Sequence, residues 1–190
     1  IVRLAVEDGQ FSFLNKLPQL PGKDFPLKSD GRGCLTTELR FGKNEIREQF
    51  LIDTGSLTEL TLRANAFDFL ESVGEITRVR EIVVVSAKGP VRRKEGVISA
   101  VNLNDWAHKE IIVSRGSTFN IVGLNYLNRY TATIDFPRNR LFLKPGKYFS
   151  EKSRRTCLGV GIYNRKDSVA LKYVIAHSPA AKAGLKADDI

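Results

Sequence analysis

Asp53 is set apart from the other acids of the chain by its neighbours. It ends a run of three large apolar residues, Phe50-Leu51-Ile52, and begins the short polar stretch Thr54-Gly55-Ser56. A continuous apolar run reads as a strand with both faces covered, and Asp-Thr-Gly-Ser reads as a tight turn whose short side chains can bond their own backbone. Together they place a carboxylate at the end of a core strand, rigid, partly desolvated and within reach of amides and hydroxyls, the setting in which an Asp takes on a chemical task. An ordinary Asx-type turn explains the same three residues without any chemistry, so a second element is needed to choose.

That element is Ile121-Val122-Gly123, followed by a short helical pattern at Leu124-Asn125-Tyr126-Leu127 and then by two short strands, Ala132 to Phe136 and Arg140 to Leu143, around a Pro137-Arg138-Asn139 turn. With these motifs in this order, the stretch from about Cys34 to Lys147 resembles the retropepsin-like family of aspartic proteases. The resemblance implies a mainly β fold, a retropepsin-like closed β-barrel with a short C-terminal helix. It implies that Asp53 is catalytic, that Thr54, Gly55 and Ser56 form the active-site loop, and that Ile121, Val122 and Gly123 support it from beneath. In that reading Thr54 braces two such loops, Gly55 permits their approach and Ser56 bonds the outer carboxylate oxygen. A flap is implied at the tip of the hairpin whose arms run from Val79 to Val85 and from Val91 to Val101, at Ser86, Ala87, Lys88 and Gly89; an ordinary surface hairpin fits the residues equally well. One departure concerns Leu124. Retroviral members carry Arg directly after the second Gly, and here the polar contact of that Arg is expected to be missing.

Peptide hydrolysis of this kind needs two carboxylates, one to take a proton from water and one to donate to the carbonyl, and like charges about 3 Å apart cannot both ionise. The chain holds one Asp-Thr-Gly. Asp135, the other acid embedded in an apolar strand, lacks the Thr-Gly turn and reads as structural. A two-fold homodimer that brings Asp53 of each copy to its axis supplies the second carboxylate, and the family resemblance implies the same assembly.

The elements that must deliver Asp53 can be traced from Leu35. The alternating segment Thr37 to Phe41, the Gly42-Lys43-Asn44 turn and Glu45 to Ile52 form a hairpin that ends at Asp53. Leu60-Thr61-Leu62 continues as a strand, Ala64 to Leu70 reads as a short helix or turn, and Asn102 to Val113 gives a strand pair around Asn104-Asp105-Trp106, with Trp106 in packing. Four segments are expected: an entry segment over 1–33 with one edge strand, the protease-like domain over 34–148, a linker over 149–155, and a further unit over 156–190. This last unit, with Leu158-Gly159-Val160-Gly161, Leu171 to Ile175 and the capped Ser178-Pro179-Ala180-Ala181 helix ending near Gly184, resembles the first part of a PDZ domain, a truncated β/α unit. The resemblance implies a peptide-carboxylate loop at Leu158, Gly159, Val160 and Gly161. It also implies that the groove-walling helix lies beyond the part present.

Composition narrows the classes. With 190 residues and 42% apolar content the chain can build one good core and part of another. The absence of Met reads as a fragment or processed product. No apolar run has the length of a membrane span, so no membrane partner is expected of this segment. The formal charge of +9 is scattered, with its densest run at Arg92-Arg93-Lys94 and no aromatic interleaving, so a solvated surface is expected and nucleic acid is not. Cys34, Cys157, His108 and His177 show no metal-ligand spacing; neither metal nor cofactor is expected. One disulfide in an extracytoplasmic, periplasmic or secreted setting and two free thiols both fit the cysteine count. Two functions follow: an aspartic endopeptidase acting on protein or peptide as a homodimer, or a non-catalytic dimeric scaffold that captures peptides through the PDZ-like part.

Overall fold

The computed structural model describes residues 1–5, 10–19, 22–29, 33–42, 45–86, 89–116, 118–153, 158–174 and 176–190, with backbone alone at 84–86 and 89–90. Two units separate, Ile1–Ser153 and Arg154–Ile190.

The first unit is mainly β. It opens with β1 (Val2–Ala5), β2 (Gln10–Phe13), β3 (Lys23–Pro26) and β4 (Lys28–Ser29). Next come β5 (Leu35–Phe41), β6 (Ile46–Asp53), β7 (Leu60–Leu62), α1 (Ala64–Ser72), β8 (Ile76–Ser86), β9 (Gly89–Leu103) and β10 (Trp106–Arg115). The unit ends with β11 (Ile121–Gly123), α2 (Leu124–Leu127), β12 (Tyr130–Asp135) and β13 (Arg140–Pro145). One sheet has the order β2-β1-β12-β13-β3; the other has the order β4-β5-β6-β11-β7-β10-β9-β8, with β5 also paired to β9 through Arg40 with Asn102 and Phe41 with Val101.

Period-two alternation explains β5, whose Leu35, Thr37, Leu39 and Phe41 point into the core while Thr36, Glu38 and Arg40 do not. In β6 only Phe50 is fully enclosed, and Leu51 and Ile52 are half-buried. The expectation of a run covered on both faces is therefore corrected: the strand climbs out of the core as it approaches Asp53. α1 buries Ala66, Phe67 and Leu70 at helical spacing. It stops at Gly74, whose φ of +77° lets Glu75 N–H reach back to Leu70 O at 2.9 Å, an ending that favours glycine.

The entry segment is also corrected. Among the described residues of 1–33 there are four strands, with β1 against β12 and β3 against β13, and they bury Leu4 and Phe25. Each strand is short, with one or two buried side chains in β1 and β3 and none in β2 and β4, so no periodicity marks them, and the partners of β1 and β3 lie at the far end of the unit. The stretch expected to begin a linker at 149 is likewise built in. Phe149 meets Trp106, His108 and Tyr130 ring to ring with centroids 5.1–5.5 Å apart. Trp106 thereby takes the packing role expected of it.

In the second unit β14 (Val160–Arg165) pairs antiparallel with β15 (Ser168–Val174), and α3 (Pro179–Lys182) begins at Ser178, whose Oγ accepts from Ala181 N–H at 3.2 Å. Among the described residues no helix is long and apolar enough to cross a membrane.

Candidate active site

The chain positions Asp53 by inserting one strand between two others. β11 lies between β6 and β7, parallel to the first and antiparallel to the second, and Gly123 stands opposite Asp53 in the register. The loop from Asp53 to β7 is thus folded over the end of β11. Two backbone bonds fix it, Leu124 N–H to Ser56 O at 2.7 Å and Gly123 N–H to Glu59 O at 2.9 Å, while Leu51 N–H to Asn120 O at 2.9 Å ties β6 to the start of β11. Gly123 has an ordinary extended backbone; glycine is required for space, because a Cβ there would lie 2.1 Å from Thr58 O and 2.8 Å from Ser56 O. Of the three residues expected beneath the loop, Gly123 meets it directly, whereas Ile121 and Val122 pair with Leu51 and Ile52 of β6 and with Thr61 and Leu60 of β7, Val122 buried and Ile121 half-buried.

Asp53 is half-buried, and its Oδ1 accepts from Gly55 N–H at 2.9 Å, so the turn's own backbone fixes the carboxylate. Thr54, Gly55 and Leu57 are exposed, Leu57 at 72%. Ser56 Oγ lies 2.8 Å from Thr58 Oγ1, which is 3.1 Å from Thr61 Oγ1. Within this single chain the Ser56 hydroxyl is thus bonded along its own loop, where the carboxylate oxygen had been expected as its partner. Asp135 behaves as a structural acid: fully buried, it accepts from Arg138 Nη1 at 2.7 Å across the β12–β13 turn.

Three side chains outside the sequence-derived set fasten the loop and the strands that carry it. Asn120 accepts from Arg63 N–H at 2.8 Å and donates to Glu48 Oε2 at 2.9 Å and Gln49 O at 3.1 Å, fastening β11 to β6 and to the start of α1. Glu59, six positions beyond Asp53, accepts from Ile112 N–H at 3.1 Å, and its Oε1 meets Arg129 Nη2 at 3.2 Å in an ion pair whose side chains are only 12% and 5% exposed. A guanidinium does reach the loop, then, although Leu124 occupies the position after Gly123; Arg129 supplies it from the start of β12. No spacing rule links these residues in the sequence. The available signal was a single charge, Arg129, set directly against the apolar Tyr130 strand.

Behind the ion pair, His108 is buried against Tyr126, Tyr130 and Phe149 and hydrogen-bonds Tyr130 Oη through Nε2. Burial, with the nearby Arg129 charge, pulls its pKa down to about 4. Burial pushes both phenols, Tyr126 and Tyr130, upward. These groups are neutral packing elements with satisfied or enclosed polar ends, and they face away from bulk solvent.

The remaining sequence candidates are placed separately. Ser86 and Gly89 pair across the end of the β8–β9 hairpin, whereas Ala87 and Lys88 lie outside the described residues. In the basic run, Lys94 pairs with Glu71 at 3.1 Å and Arg92 approaches Glu81 at 3.8 Å, so two of its three charges face acids. Of the carboxylate-loop candidates, Leu158 is exposed and its carbonyl accepts from Ala180 N–H at 3.1 Å, while Val160 and Gly161 belong to β14. Cys157 lies outside the described residues. Among the described residues no group of three or more His, Cys, Asp or Glu is arranged to hold a metal ion.

No protein-family model matches the chain. No curated protein matches it in sequence. Among solved structures, it is similar to a retropepsin-like aspartic protease from Rickettsia conorii, with a TM-score of 0.49 and 17% identity over 64% of this chain and 88% of that one.

Proposed function

We propose that the chain is an aspartic endopeptidase whose active site is completed when Asp53 of two copies meets across a two-fold axis. The observation that carries this reading is the Asp53 loop itself. A carboxylate fixed by Gly55 N–H stands where β6 leaves the core, clamped by β11, while Thr54, Gly55 and Leu57 remain exposed on the rim where a second loop would seat. The ordered pair of sequence motifs, Asp53 to Ser56 and Ile121 to Gly123, supports it independently.

The chemistry follows from two carboxyls sharing one proton. The ionised Asp53 takes a proton from water as the water oxygen bonds to the peptide carbonyl carbon, and the protonated Asp53 of the second copy gives its proton to the carbonyl oxygen. The resulting gem-diol collapses: the first carboxyl passes its proton to the nitrogen, the second takes one from a hydroxyl, and the C–N bond breaks to leave an acid and an amine. The pair ends with one proton, as it began. The β8–β9 hairpin tip would cover an extended peptide, and the second unit would add a peptide-binding surface at Leu158 and Gly159.

The test is cleavage of an unfolded protein mixture from pH 3 to 8 at several chain concentrations, with Asp53→Asn alongside. Activity that rises faster than linearly with concentration and vanishes in the variant supports a shared site. Equal behaviour of the two proteins at every pH and concentration rules proteolysis out and leaves a peptide-binding scaffold as the reading to pursue.

A further inference from the structure

The Glu59–Arg129 pair has unusual connections for a buried ion pair. One end is continuous with the catalytic loop, since Glu59 O is the acceptor for Gly123 N–H and Gly123 stands opposite Asp53 in the sheet. The other end is closed by the residues that leave the unit. Arg129 Nη1 donates to Glu151 O, and Arg129 Nη2 donates to Ser153 Oγ at 3.1 Å. Ser153 Oγ in turn donates to Glu59 Oε2. At the surface, the exposed Lys152 Nζ also pairs with Glu110 Oε2 at 2.6 Å, on β10 two residues from Ile112, whose N–H bonds Glu59; a pair so exposed adds little to the hold. The two terminal nitrogens of Arg129 and both oxygens of Glu59 are thus bonded, while Arg129 Nε is buried without a partner, so the pair depends on the few partners it has and each one's position constrains the others. Ser153 is the last described residue before the segment that leads to the second unit.

We infer that Glu59 and Arg129 are positioning residues for the Asp53 loop, and that the 151–153 segment is the removable part of the device, so that its seating sets the geometry of the catalytic carboxylate. The inference rests on the proteolytic reading for the word catalytic, and on the hydrogen-bond chain alone for the positioning. Ser153 touches no part of Asp53, so its effect must travel through Glu59 to Gly123. Serine fits the task because its hydroxyl both donates to Glu59 and accepts from Arg129.

The test compares the full chain with Ser153→Ala, which removes only the hydroxyl, and with Ser153→Thr, which keeps it. Amide hydrogen exchange provides a readout independent of activity. In Ser153→Ala the Gly123 and Leu124 amides should exchange at least about tenfold faster while Ala132 and Thr133, in the other sheet, do not change, and Ser153→Thr should restore protection. In the same proteins, cleavage should lose kcat with KM unchanged. Unaltered exchange at Gly123, or a uniform rise at all four amides, overturns the inference, because the hydroxyl would then act on nothing local or only on global stability. A selective rise at Gly123 in a chain that shows no cleavage retains the positioning link and removes the proteolytic reading instead. The double variant Glu59→Gln with Arg129→Met, which deletes both charges together and so avoids stranding one, should reproduce the selective rise.

Discussion

Two titratable side chains of the first unit are held in opposite ways. Asp53 is half-buried on the rim with one oxygen on a backbone N–H, whereas His108 is enclosed by three aromatic rings and bonded to Tyr130 Oη. Because burial depresses His108 to about 4 from an ordinary 6.5, the unfolded chain binds its proton first as pH falls. The sign is therefore fixed: the neutral ring costs nothing above pH 6.5, stability falls between pH 6.5 and 4, and it is level again below that. At about 1.4 kcal/mol per pH unit, the loss from this one ring approaches about 3 kcal/mol. Urea unfolding at pH 7, 5.5 and 4 should show it, and His108→Gln should flatten the portion of the slope that belongs to the ring. An acid protease built on this core would have the acid limb of its activity set partly by unfolding, so the two profiles should be measured on the same samples.

At the scale of elements, the decisive feature is β11, a strand of three residues wedged between β6 and β7. Its last position tolerates only glycine, since any Cβ would drive into two loop carbonyls, and backbone cannot yield as a flexible side chain can. Gly123→Ala should destabilise the unit by about 3 kcal/mol, as severe overpacking does, and equilibrium urea unfolding would register it as a lower midpoint at unchanged slope. Near-native stability would mean that the loop can lift off β11. Much of this element was legible in sequence: Ile121-Val122-Gly123 and Asp53 to Ser56 announce themselves by abrupt changes from apolar to small. The Leu35 to Asp53 hairpin was equally open to reading because its alternation is local. What sequence could not supply were pairings between distant short strands, such as Leu4 in β1 against Ala132 in β12, and polar clamps made by single residues, such as Asn120 and Arg129. Each depends on where the chain returns in space, and no periodic pattern encodes that. The boundary of the linker failed for a related reason. A polar residue such as Ser153 looks solvated until a buried acid and guanidinium appear beside it.

For the whole molecule, the consequence is a structural boundary. The first unit closes at Ser153, after Phe149 has entered the aromatic cluster and Glu151 and Ser153 have completed the Glu59–Arg129 pair. A chain ending at 148 would lose the ring of Phe149 and leave Arg129 and Glu59 with fewer partners in a place where water does not easily substitute. A chain ending at 153 would lose none of these. Removing a packed Phe alone costs about 3 kcal/mol or more. The 1–153 chain should therefore unfold in urea at the midpoint of the corresponding transition in the full chain, while 1–148 should unfold at clearly lower denaturant, with an exposed-core signature in Trp106 fluorescence. Equal midpoints for the two truncations would show that residues 149–153 merely lie against the unit. A shortfall in 1–153 itself would mean that residues 154–190 contribute stability that the contacts within the first unit do not account for.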